Sequence, residues 1–216
     1  MAEAAASSNQ IPRQAEAAKR EGPKPRRVPK LSSLLLTDLA GALAALTLWG
    51  AADLWYQLTA LPLAGVVVVG DALFVGYLLN ALMHEWGHYL GAVASGAHTT
   101  LIKPSGFSLF RFKFRFEQSG PRQFVWMSVG GNLAHWAVVG LLYAALPLTT
   151  VGQLALLAAA FGFAVSATIF ELPVLLRVRS GSDPEATLTA RATRETFRRG
   201  RLFAAAGGAL LFAALH

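Results

Sequence analysis

The chain contains no cysteine, which excludes structural disulfides, thiolate metal ligands and a thiol nucleophile. It is also short of charge. Only 14% of its 216 residues are Asp, Glu, Lys or Arg, whereas soluble domains carry about a quarter. No Lys or Arg occurs between Lys30 and Lys103, or between Arg122 and Arg177. Those intervals are filled by apolar residues, which make up 54% of the chain. The blocks are too long for the core helices of a soluble protein, and the total length suits about four to six membrane spans. The composition therefore predicts a mainly α, polytopic membrane protein.

The net charge is +7, but its distribution argues against a nucleic-acid partner. All 19 Lys and Arg fall in three segments, Arg13 to Lys30, Lys103 to Arg122 and Arg177 to Arg201. Basic residues on alternate loops mark the cytoplasmic side of a cell-membrane protein, which puts the N-terminus inside. The same charge favours anionic lipid headgroups. Residues 1–30 lack any sustained apolar period and are expected to form a disordered cytoplasmic tail. Residues 31–216 then form a single membrane-embedded domain. A cleaved signal peptide is not expected, because the apolar stretch after the tail is too long and has no clear cleavage site.

Four spans are predicted, at about Leu31–Leu61, Leu63–Val93, Phe124–Leu146 and Val151–Leu176, with a turn at Pro62 and a stop at Pro147. Asp38 and Asp53 interrupt the first. Between the second and third, Phe110, Phe112, Phe114 and Phe116 alternate with Arg111, Lys113, Arg115 and Glu117, a period of two that predicts a strand. Leu101 and Ile102, ahead of Pro104-Ser105-Gly106, supply a hairpin partner, so a β-hairpin is expected over about 99–117. Asp183-Pro184-Glu185 opens a polar, Arg-bearing helix to about Arg199. Leu202 to Leu215 is a last apolar stretch, short for a fifth span.

One motif carries chemistry. In His84-Glu85-Trp86-Gly87-His88 the two histidines stand four apart, on one helix face about a turn from each other. Both imidazoles can reach a single Zn²⁺, with Glu85 beside them to take a proton from an activated water. An ionisable residue in a span costs a few kcal/mol, so three in five residues demand a compensating partner such as a metal. The segment Ala81 to Ala92 resembles the site-2 protease family of intramembrane zinc metalloproteases, whose first motif is His-Glu-x-Gly-His within a membrane helix. Gly87 matches the family's glycine.

That resemblance implies an endopeptidase that cuts a membrane-protein substrate in or near a transmembrane helix, with Zn²⁺ as cofactor and Glu85 as the catalytic base. It also implies a hairpin that engages substrate as an added strand, which makes Phe110 and Phe112 candidate substrate contacts. A plain amphipathic hairpin on the membrane surface is the alternative. Gly131-Asn132-Leu133-Ala134-His135 resembles the family's Gly-Pro-x-x-Asn, with Asn132 at the proline and His135 at the asparagine. Both become candidate substrate-site residues, although an intramembrane histidine can also serve as a simple hydrogen-bonding group.

A catalytic zinc usually takes three protein ligands, and His84 and His88 provide two. The family's third is an aspartate in an Asn-x-x-Pro…Asp-Gly pattern, which points to Asp183. Here the asparagine is missing and Pro184 stands at the glycine. Asp183-Pro184-Glu185 is equally an N-cap followed by the first helical residues. Glu171 is the rival ligand, since a carboxylate within the fourth span needs a partner. Two further functions stay open: a non-catalytic scaffold that keeps the fold, and an unrelated membrane zincin that uses Glu171.

Overall fold

A computed structural model of the chain describes residues 28–104 and 109–216. The expected tail lies outside the described residues except for 28–30, which carry no regular structure. Helix α1 spans Leu31–Thr59 and α2 spans Pro62–Ala94. Between them Ala60 adopts a left-handed φ of 50° and its N–H closes on the Tyr56 carbonyl. Pro62 then starts α2 where a missing N–H costs nothing. Strands β1 (Thr99–Leu101) and β2 (Phe112–Phe114) form an antiparallel pair, with Leu101 opposite Phe112 and Thr99 opposite Phe114. Helices α3 (Pro121–Ala145), α4 (Val151–Arg179), α5 (Pro184–Arg191) and α6 (Arg194–Leu215) complete the chain.

Helices α1 to α4 are each long and apolar enough to cross a membrane. The burial pattern is that of a lipid-embedded bundle. Large apolar side chains such as Leu36, Leu58, Val66, Leu73, Leu133 and Leu141 are exposed, while Asn80, His84, Ser128 and His135 are buried. In lipid, polar groups must find partners inside the protein. The two acids of α1 do so. Asp53 accepts from the Thr150 hydroxyl at 2.9 Å and from the Gln57 amide at 2.9 Å. Asp38 receives Arg111 through two bonds, of 2.7 and 2.6 Å, and the Trp86 indole N–H at 2.9 Å.

Helix α4 is the central element, with Leu154 to Ala158, Ala160, Gly162 and Ala164 all buried. Helices α2 and α3 cross where neither carries a side chain. A Cβ on Gly87 would overlap the Gly130 carbonyl and come within 2.5 Å of Ala134 Cβ. The glycine inside the histidine motif is therefore the point at which α3 is allowed close.

Two details differ from the sequence reading. The predicted strand through Glu117 stops at Phe114, and Phe116–Gln118 forms a single 3₁₀ turn. Phe114, Phe116 and Phe124 pack together with ring centroids 5.0 to 6.0 Å apart, which draws the chain onto α3. The polar helix predicted to Arg199 ends at Arg191, and a new helix starts after Thr193, whose hydroxyl caps the Thr196 N–H. The Arg-rich turns and the last apolar stretch are thus one helix of 22 residues, about 33 Å long. It runs antiparallel to α4. Gly208, Ala204 and Gly200 lie against Ala158, Gly162 and Ser166, and Phe197 stacks on Phe170 at 5.2 Å.

Candidate metal centre

The histidine motif lies in the last third of α2, and its face is turned to α3 and α4. His84 Nε2 and His88 Nε2 are 3.0 Å apart. Glu171 Oε1, from α4, lies 3.0 Å from the first and 2.9 Å from the second. The three side chains keep only 10%, 12% and 13% of their accessible surface. Four ligands at zinc's bond lengths of about 2.0–2.1 Å would stand about 3.3 Å apart in a tetrahedral site, so the triangle is close to the size a small divalent ion needs.

The remaining ring atoms decide what the three converging atoms are. The His88 Nδ1–H donates to the Met127 carbonyl at 2.9 Å, and the His84 Nδ1–H to the Gly131 carbonyl at 3.2 Å. A carbonyl can only accept, so a neutral ring that donates there carries its proton on Nδ1 and turns an Nε2 lone pair to the cluster. Two such lone pairs and a carboxylate oxygen within 3.0 Å of one another call for a shared cation, which a proton on one Nε2 or a divalent ion supplies. The donor set and its spacing fit a divalent metal. His84, His88 and Glu171 form the one such group among the described residues.

Outer contacts hold each ligand. The Asn132 amide donates to Glu171 Oε2 at 2.5 Å and to the Ser128 carbonyl at 3.0 Å, which leaves Oε1 for the histidines. His135 is fully buried and stacks on His84, with Nδ1 3.0 Å from His84 Nδ1 and Nε2 3.3 Å from the Thr168 hydroxyl. It stands behind His84, on the ring edge away from the cluster. Asn132 and His135, expected as substrate-site residues, thus contact the ligands themselves.

Glu85 follows His84 and is half-buried. No hydrogen bond from a described residue engages its carboxylate. Trp86, next in sequence, is tied through Asp38 to Arg111. Because Arg111 directly precedes β2, this fixes the base of the hairpin against the motif helix. Phe112 meets Tyr89 edge-on at 5.6 Å, and Phe110 is 62% exposed.

Of the two acids left open as third ligand, Glu171 is the one brought to the histidines. Asp183 is exposed at the N-cap of α5, where Oδ1 accepts the Ala186 N–H at 2.8 Å. No family model, no curated protein and no solved structure matches the chain. The centre therefore rests on its own geometry, that of a His-His-Glu group buried among membrane-length helices.

Gly131 makes a sharp test of that geometry. A Cβ there would overlap the His88 ring, with Nε2 only 2.7 Å away. Gly131→Ala is expected to displace the imidazole, strip most of the bound metal and cost about 1–3 kcal/mol of stability. Gly140→Ala, on the same helix with open space around it, is expected to keep the metal and to gain the ~0.5–1 kcal/mol that Ala has over Gly in a helix. Metal analysis and melting in detergent check both.

Proposed function

We propose that the chain is a site-2-protease-like intramembrane zinc endopeptidase, a multi-pass cell-membrane protein with its N-terminus cytoplasmic. The observation that carries this reading is the convergence of His84 Nε2, His88 Nε2 and Glu171 Oε1 within 3.0 Å of one another, beside Glu85. Two histidines and a glutamate are a ligand set of known zinc proteases. The resemblance to the family is specific in the first motif and loose in the later ones. It departs in the third ligand, where Glu171 of Glu-Leu-Pro takes the part of the family's aspartate.

Zinc, when bound, supplies Lewis acidity that readies water at neutral pH and polarises a peptide carbonyl. The chain's own residues do the rest. Glu85 accepts a proton as the water oxygen attacks the carbonyl carbon, and returns it to the amine as the C–N bond breaks. Asn132 holds Glu171 by its second oxygen, and His135 with the Gly131 carbonyl keeps His84 in the right tautomer. A helical substrate hides its carbonyls in its own hydrogen bonds, so the scissile segment must be extended. The hairpin edge offers it a partner strand, with Phe110 and Phe112 as apolar contacts.

The reading is tested with wild-type protein in liposomes, using single-span test substrates whose helices contain Gly or Pro. A zinc chelator should abolish cleavage and added zinc should restore it. Cleavage that survives full removal of the metal would overturn the proposal.

A further inference from the structure

Helix α4 contains Pro173, two residues beyond Glu171. Proline has no N–H, so the carbonyl four residues earlier, that of Ile169, loses its helical partner and is pressed outward by the ring. In lipid such a carbonyl needs another donor. It has one. Arg191, the last residue of α5, extends its Nη2 to the Ile169 oxygen at 2.9 Å.

Three features make this contact more than incidental. Among the described residues, the Arg191 Nε is buried without a protein partner and no carboxylate pairs with the guanidinium. A half-buried cation with no such counter-ion is compensated in part by the acceptor it reaches. The acceptor is one that only a proline at position 173 leaves open. Finally, Ile169 lies between two residues that face the metal centre, Thr168 toward His135 and Glu171 toward both histidines.

We infer that Arg191 is a positioning residue for the metal centre. It takes the place of the missing Pro173 N–H, holds α4 in one conformation around Ile169, and so sets where the Glu171 carboxylate stands. Through this contact the polar helix α5 is coupled to the depth of the site. The inference rests on the reading of Glu171 as a metal ligand and deepens it.

The test is zinc affinity of the full chain in detergent, measured by competition with a chromophoric chelator. The variants are Arg191→Gln, Arg191→Lys, Pro173→Ala and the double variant, beside wild type and His84→Ala. Loss of an outer-sphere support typically weakens a metal site about 10–100-fold. Arg191→Gln is expected to weaken zinc by about 10-fold or more, and Arg191→Lys to recover part of that loss.

Pro173→Ala returns an N–H to the Ile169 carbonyl, so in that background Arg191→Gln should change zinc affinity by less than about twofold. A role in helix packing alone would give the same loss in both backgrounds. If Arg191→Gln does not fold, the double variant should fold and bind zinc as Pro173→Ala does.

Wild-type affinity in Arg191→Gln would overturn the inference, as would equal losses in the two backgrounds or a double variant that also fails to fold. Zinc that binds wild type, is lost in His84→Ala and ignores Arg191 overturns this inference alone. Wild type with no more zinc than His84→Ala overturns both it and the metal reading beneath it.

Discussion

Glu85→Gln is expected to leave zinc content and melting temperature close to wild type and to lower the rate of peptide hydrolysis by about 10²–10⁴-fold. His84 Nε2 and His88 Nε2 aim at Glu171 Oε1, at 3.0 and 2.9 Å, while Glu85 stands outside that triangle. Its carboxylate takes no hydrogen bond from a described residue, so the amide breaks no contact and need not disturb the fold. What the amide cannot do is accept a proton. Single-turnover cleavage in liposomes, read beside metal analysis of the same preparation, separates the two roles. Full activity in Glu85→Gln would remove Glu85 from the mechanism. Loss of zinc in the variant would make it a ligand or a structural support.

The second large effect concerns the third ligand. His84→Ala, His88→Ala and Glu171→Ala are each expected to take metal content from about one ion per chain to near background, since each removes one of three protein ligands. Asp183→Ala is expected to keep the ion. Its cost is the N-cap bond to Ala186, worth about 1 kcal/mol, and it should appear as a small drop in melting temperature. Asn132→Ala should fall between these extremes, because it frees Glu171 Oε2 without removing Oε1. Retained zinc in Glu171→Ala with loss in Asp183→Ala would reverse the assignment and return the site to the family's aspartate pattern.

These expectations also separate the proposed enzyme from a scaffold. A scaffold has no need of a base poised beside the ligands, so Glu85→Gln would change nothing measurable in it. The enzyme reading requires that the two sets of variants behave differently: ligand variants lose metal and activity together, and the base variant loses activity alone.

Local features of the chain carried much of this. The four spans follow from apolar runs of membrane length, because in lipid an uninterrupted hydrophobic stretch has few options besides a helix. The expected segments and the helices Leu31–Thr59, Pro62–Ala94, Pro121–Ala145 and Val151–Arg179 agree to within a few residues. The pairing of His84 with His88 was equally legible, since residues four apart share a helix face whatever surrounds them. The hairpin was visible in the alternation of Phe and charge from Phe110 to Glu117. Its early end was not, because that depends on where Phe116 finds Phe124.

Tertiary structure decided what depends on contacts between distant segments. His88 and Glu171 are separated by 83 positions, and no local pattern could rank Glu171 above Asp183. The first had only an unexplained burial in its favour, the second a family pattern and a cap at once. The same holds for Asn132, which turns out to grip a ligand, and for Asp38, whose partners Arg111 and Trp86 come from two other elements. The sequence by itself determined that histidines, acids and a proline would be forced into a medium without water. Which of them would meet was decided by helix packing, at points such as Gly87 and Gly130 where the absence of a side chain lets two backbones touch. A buried polar group must take whatever partner packing brings within about 3 Å, and sequence spacing does not encode that distance.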